Sequence, residues 1–174
     1  ADGIQALLKT SVDLSSGLVD VYTVSAHKIH ALKGTGALLV RQGVTVRPLL
    51  HGGGQELSLR AGTENTLGIL AFGEALETGL QEQAVNFDKI RQLRDAFLDG
   101  IAGIDGVTVH VPESFVPHIV SLTVEGVRGE VLARAMGEKD VMIGTGAACS
   151  RGKLSRVLLE CGVSRVQTEG AVRI

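Results

Sequence analysis

Four consecutive residues, Ser25-Ala26-His27-Lys28, carry the densest chemistry in the chain. A hydroxyl and an imidazole can donate to an anion such as phosphate, and a partly desolvated lysine amine beside them can attack a carbonyl to form a Schiff base. The same four residues also fit a solvated lysine in a loop. Asp2 and Gln5 lie upstream: a buried Asp could pair with a protonated ring nitrogen, and an Asp at a helix start is the plainer alternative. The second focus is the loop Ile143-Gly-Thr-Gly-Ala-Ala-Cys-Ser-Arg-Gly152. There Cys149 stands among small residues, with Arg151 and Lys153 near enough to favour a thiolate, as an accessible nucleophile requires. A small core cysteine after a strand fits as well. Cys161, inside Val157-Leu-Leu-Glu-Cys-Gly162, reads as core packing.

Three other patterns lead nowhere. His51-Gly52-Gly53-Gly54 matches an esterase oxyanion loop, yet the chain has no G-x-S-x-G to supply the serine. His27 and His30 could touch one metal ion, but no third ligand stands at useful spacing, so no metal is expected. Gly34-Thr35-Gly36 leads into a strand rather than out of one, which rules out a dinucleotide fingerprint.

These residues need elements to hold them. Leu18 to Val24 reads as a buried strand that ends at Ser25, and ligand sites of α/β sheets lie just beyond such strand ends. Gly36 to Val40 is a second strand. Val44 to Leu50 contains Pro48 and is at best an edge strand. A Gly-rich loop follows from His51 to Gly62, with Thr63 as N-cap of a helix to about Gln83. A separate helix begins after Asn86 or Asp88, with apolar residues from Phe87 to Ile104 at helical spacing. Strands at Val107 to Val111, Ile119 to Val124 and Val141 to Ile143, helices at Gly129 to Glu138 and Leu154 to Cys161, and a final strand start complete the order. The expected architecture is α/β: residues 1–84 form an edge of a larger α/β layer, and residues 85–174 form a small α+β domain.

Composition narrows the class. With 174 residues, 44% of them hydrophobic and 21% charged, the chain can build a real core. A net charge of −2 gives no reason to expect nucleic acid or an anionic membrane as partner. No apolar run approaches the roughly 20 residues of a membrane span. Two cysteines make no disulfide framework, and no signal peptide is visible, so a reducing cytoplasm is expected. Glycine, at 23 residues, is about twice its ordinary share of roughly 7%, which signals many tight turns and close approaches.

Taken together the segments resemble the cysteine desulfurases of the class V aminotransferase-like group, pyridoxal 5'-phosphate enzymes of fold type I, in their NifS- and IscS-like form with a long catalytic loop. Ala1-Asp2-Gly3-Ile4-Gln5 resembles the segment whose Asp holds the pyridine nitrogen and whose Gln contacts the phenolic oxygen. Ser25-Ala-His-Lys-Ile-His-Ala-Leu-Lys-Gly34 resembles the Schiff-base segment, with Lys28 as the lysine, Ser25 and His27 on the phosphate, and Ala31-Leu32 where Gly-Pro is usual. His51-Gly-Gly-Gly-Gln-Glu56 followed by Arg60-Ala-Gly-Thr-Glu-Asn65 is the most specific stretch, and the resemblance puts Thr63 on the phosphate of a neighbouring subunit in a homodimer. Gly144-Thr-Gly-Ala-Ala-Cys149-Ser resembles the catalytic-cysteine loop, with Arg151 departing from the usual small polar residue. Glu169-Gly-Ala-Val-Arg173-Ile174 resembles the strand whose arginine pairs with the substrate carboxylate.

The resemblance covers a C-terminal half, so the chain is expected to be a fragment, inactive alone. It implies conversion of L-cysteine to L-alanine, with a persulfide on Cys149 passed to a sulfur-acceptor protein such as an iron-sulfur scaffold. Selenocysteine lyase, another class V lyase, or a non-catalytic dimerising piece are the rival readings.

Overall fold

The computed structural model describes residues 1–110, 116–145 and 154–174, and it divides into two compact units, Ala1–Asn86 and Phe87–Ile174.

In the first unit β1 (Val21–Ser25) pairs antiparallel with β2 (Gly36–Val40), in a register running from Val21 opposite Val40 to Ser25 opposite Gly36. The other edge of β1 is occupied as well. Asp2 lies parallel beside Thr23, with the Gly3 amide donating to the Thr23 carbonyl at 2.9 Å and the Thr23 amide donating to Ala1 at 3.2 Å. A strand bonded on both edges has its face alternation fixed. Tyr22 and Val24 are accordingly buried, while Val21, Thr23 and Ser25 line the opposite, half-exposed face. Gly3 is required by close approach: a Cβ there would sit 1.9 Å from Cζ of Tyr22.

Ala26–Ile29 follow as one 3₁₀ turn. Side chains three apart eclipse in that geometry, so Ala26 and Ile29 are both buried and His27 and Lys28 are left outward. The turn closes where His30, at φ 71°, donates its amide to the Ala26 carbonyl.

The strand expected from Leu18 begins only at Val21. Leu18 is 90% exposed, and pairing starts where β2 can reach, with the Arg41 amide donating to Asp20 at 2.9 Å. Val44 to Leu50 forms no strand: Pro48 offers no donor and restricts Arg47, leaving a single bridge from Leu50 to Arg60. The Gly-rich loop contains an unusual turn in which Glu56, Leu57 and Ser58 take φ of 48°, 56° and 64°. Left-handed backbone costs roughly 1–2 kcal/mol per non-glycine residue.

One helix, α1 (Thr66–Ile101), replaces the two expected, and the division between the units falls inside it. Asn86 costs a helix only a few tenths of a kcal/mol in propensity, and its amide donates back to Glu82 at 3.3 Å. Asp88 pairs with Arg91 at 3.1 Å rather than capping a new helix. The true N-cap is Asn65, not Thr63: Oδ1 of Asn65 accepts from the Gly68 amide at 3.1 Å, and Nδ2 donates to Thr35 Oγ1 at 3.3 Å.

The second unit is an antiparallel sheet in the order β3 (Val107–Val109), β4 (Ser121–Val124), β5 (Ala171–Arg173). Val120, Leu122, Ala171 and Val172 form its core. The helix α2 (Gly129–Gly137) starts so close to β5 that a Cβ on Gly129 would lie 2.5 Å from the Ala171 carbonyl oxygen. Val141 to Ile143 is not a strand; pairing begins one residue later, where Gly144 bridges Arg173. Two short helices precede β5. Of these α3 (Arg156–Glu160) is capped by Ser155, and α4 (Arg165–Glu169) carries a full capping box from Ser164 and Gln167. No helix is expected at α4 from apolar spacing, although Ser164-x-x-Gln167 is a capping signature.

We expect Gly3→Ala to lower stability by about 1–3 kcal/mol through overpacking against Tyr22. Measured in a Tyr22→Ser background by chemical denaturation, the added loss from Gly3→Ala should be much smaller, whereas additive losses would show that the two positions do not interact.

Candidate active site

The first unit assembles most of the residues singled out in the sequence. Ser25 ends β1 on its half-exposed face, and Asp2, in register with Thr23, lies beside that same strand. Ser25 Oγ and His27 Nδ1 are 2.8 Å apart, so hydroxyl and imidazole act as one polar pair immediately before Lys28. Lys28 is half-buried, with apolar Ala26 and Ile29 anchoring the turn beneath it. Asp2 is exposed rather than buried; its Oδ1 accepts from the Ile4 amide at 2.9 Å, an Asx turn that fixes the carboxylate on its own backbone. Gln5 and Thr63 are both exposed, Gln5 in the turn after Asp2 and Thr63 in the loop before Asn65.

Two groups here were missed. Lys9 Nζ donates to the backbone carbonyl of Lys28 at 3.1 Å, and its pKa is lowered by burial first and then by the positive charge of Lys28. No motif spacing marks it. Tyr22 was read only as part of a strand, yet its buried hydroxyl has no hydrogen-bond partner among the described residues. Burial, and secondarily the charge of Asp2, raises its pKa.

The second unit holds Arg173, exposed at the end of β5. Gly144 fixes its backbone from both sides, with N to O distances of 2.9 and 2.6 Å. A cavity of about 500 Å³ opens beside it, lined among others by Arg128, Thr145, Ser155, Leu158, Thr168 and Arg173. Cys149 lies outside the described residues. Cys161, expected in the core, is exposed, because it follows the last turn of a five-residue helix that buries none of its residues.

A buried polar chain supports β5. Thr123, 2% exposed, donates its hydroxyl proton to the Gln167 carbonyl at 2.7 Å and stands 2.7 Å from His110 Nε2. A hydroxyl has one proton to give, so Nε2 must carry the hydrogen that Thr123 accepts. Gly170 completes the arrangement, since a Cβ there would lie 2.9 Å from the carbonyl oxygens of both Val124 and Val127. These contacts fix the end of α4, and with it the start of the strand that carries Arg173.

In chemical terms the first unit offers an anion-binding pair beside an amine, and the second a guanidinium at a cavity mouth. Removing the central link should be costly: Thr123→Val leaves a buried donor and acceptor unpaired, a loss of about 1–3 kcal/mol in denaturation. Burial lowers the His110 pKa from 6.5. The unfolded chain therefore binds that proton more readily, and stability contributed by neutral His110 is complete above the unfolded value and declines as pH falls below it. Denaturation across about pH 5–8 should show this decline, and His110→Gln should flatten it.

The family described as Aminotransferase class-V matches residues 1–174. Among curated relatives, Cysteine desulfurase IscS of Clostridium botulinum (strain Hall) is 34% identical over 179 residues, covering 99% of this chain and 45% of the relative. Cysteine desulfurase of Sinorhizobium fredii is 37% identical over 182 residues, covering 99% and 46%. A solved structure titled NifS-like protein superposes with a TM-score of 0.88 at 32% identity, over 99% of this chain and 45% of that one. The chain thus spans about half the length of the curated relatives it matches, and it shares their α/β fold. With one family model spanning every residue and relatives above 30% identity along its length, the chain belongs to the class V aminotransferases.

Proposed function

We propose that the protein is a cysteine desulfurase using pyridoxal 5'-phosphate, with residues 1–84 belonging to the cofactor-binding domain and residues 85–174 to the small domain. The observation that carries this reading is the Ser25–His27 pair, 2.8 Å apart at the end of β1, directly before Lys28. A phosphate needs donors, a carbonyl needs an amine and a pyridine nitrogen needs a carboxylate; this strand end gathers all three types in one unit. The residues present therefore fit the cofactor.

When bound, the cofactor supplies an electron sink for the substrate carbon. Ser25 and His27 would hold its phosphate, Asp2 would meet its ring nitrogen, Gln5 would contact its phenolic oxygen, and Lys28 would supply the amine for its carbonyl. The Lys28 amine would serve as the base that moves the Cα proton of L-cysteine. Arg173 pairs with the substrate carboxylate. The Cys149 thiolate would attack the substrate sulfur: the S–S bond forms, the Cβ–S bond breaks with its electron pair remaining on the substrate, and protonation of Cβ together with return of a proton to Cα yields L-alanine. The sulfur then leaves on an acceptor protein such as an iron-sulfur scaffold.

Thr63 reaches the phosphate of a second copy in a homodimer. Support for such an interface comes from Leu49, just before the Gly-rich loop, and Leu57, within it, both more than 90% exposed. A free thiolate at Cys149 suits a reducing cytoplasm, and no helix among the described residues is long and apolar enough to cross a membrane.

In the complete gene product, borohydride should fix pyridoxal phosphate on Lys28, and Lys28→Ala should lose the label. Cys149→Ala should keep the label yet release sulfide from cysteine on the order of 10³-fold more slowly. Undiminished sulfide release by Cys149→Ala would sink the persulfide step.

A further inference from the structure

Lys9 is a cation tied to the lysine turn from outside it. It reaches across 19 positions of sequence to place Nζ 3.1 Å from the Lys28 carbonyl. Its own backbone is prepared for that reach. Residues Gly3 to Thr10 form successive turns in which the Lys9 and Thr10 amides both donate to Ala6, at 2.9 and 3.1 Å. Leu8 then takes a left-handed φ of 61°, which redirects the chain between two adjacent side chains. Leu8 is driven against α1, where Gly79 makes room: a Cβ on Gly79 would lie 2.1 Å from Leu8 Cδ1. Lys9 goes to the lysine turn instead.

The geometry points to Lys9 as a positioning residue for Lys28, an ammonium clamp that holds the carbonyl of the 3₁₀ turn and so fixes the direction in which the Lys28 amine is presented. The inference rests on the reading of Lys28 as the Schiff-base lysine. Half-burial of the Lys9 ammonium, and its sensitivity to the Lys28 charge, accord with two lysines held close together. The clamp does not need Lys9 to touch the substrate.

The turn itself reports the clamp without any cofactor. His30 and Ala31 both donate their amides to the Ala26 carbonyl, Ala31 at 3.2 Å. In the complete gene product without pyridoxal phosphate, Lys9→Met should speed hydrogen exchange at those two amides roughly tenfold, the equivalent of one charge-assisted hydrogen bond. Exchange within β1 should stay unchanged, and Lys9→Arg should restore protection. With pyridoxal phosphate at half-saturating concentration, Lys9→Met should lower borohydride-fixed label on Lys28 by a similar factor, again rescued by Lys9→Arg. Unchanged exchange at His30 and Ala31 in Lys9→Met would overturn the clamp. Unchanged labelling despite loosened exchange would overturn its role in presenting Lys28. If the unsubstituted protein takes no label at all, the Schiff-base reading of Lys28 fails, and the role of Lys9 in presenting that amine falls with it, while the exchange comparison still decides the clamp.

Discussion

The first unit depends on β1 being bonded along both edges, by β2 on one side and by the Ala1–Gly3 strip on the other. A strand held once can slip, and a slip of one residue would turn every side chain to the wrong face. Held twice, with antiparallel and parallel partners agreeing on its register, β1 cannot exchange Tyr22 and Val24 for Thr23 and Ser25. The polar face it displays is then also the face beside Asp2. The exit of the chain from this strand fixes the lysine turn, whose buried Ala26 and Ile29 serve as its two anchors.

The second unit solves a similar problem with fewer backbone pairs. Its β5 is three residues long, too short to fix an arginine by ladder bonds alone. The buried Thr123 hydroxyl, the amide exchange with Gly144 and the tight fits at Gly129 and Gly170 provide the remaining constraints. Glycine, abundant in the composition, is used here for close packing of backbone on backbone as much as for turning.

Much of this was legible from local pattern. The bounds of β2 coincide with the apolar run Gly36–Val40, and the strand end, at Ser25 and one residue past the expected Val24, followed from the β-branched run that precedes it. The polar tetrad was found by residue type alone. What escaped was set by partners distant in sequence. The Lys9 clamp spans 19 positions and the Thr123–Gln167 bond spans 44, and no spacing rule reaches that far. The continuity of α1 escaped for the opposite reason: Asn86 and Asp88 are good caps, but a cap ends a helix only where the flanking chain has somewhere better to go. Thr63 lost the cap position to Asn65 because Thr35 was there to hold the other end of the amide.

The 3₁₀ turn that carries Lys28 is also the connection of a hairpin, since β1 and β2 flank it and pair with each other. Closing that short loop has a smaller entropic cost than bringing in the Ala1–Gly3 strip, and a shorter loop also tends to close sooner. The lysine segment therefore lies within one of the shorter closures of the unit. The carboxylate of Asp2, the clamp from Lys9 and the tether between Thr35 and Asn65 are long-range additions to an element that is already local. A chain so arranged places Lys28 by a local closure and brings the more distant groups to it over longer loops.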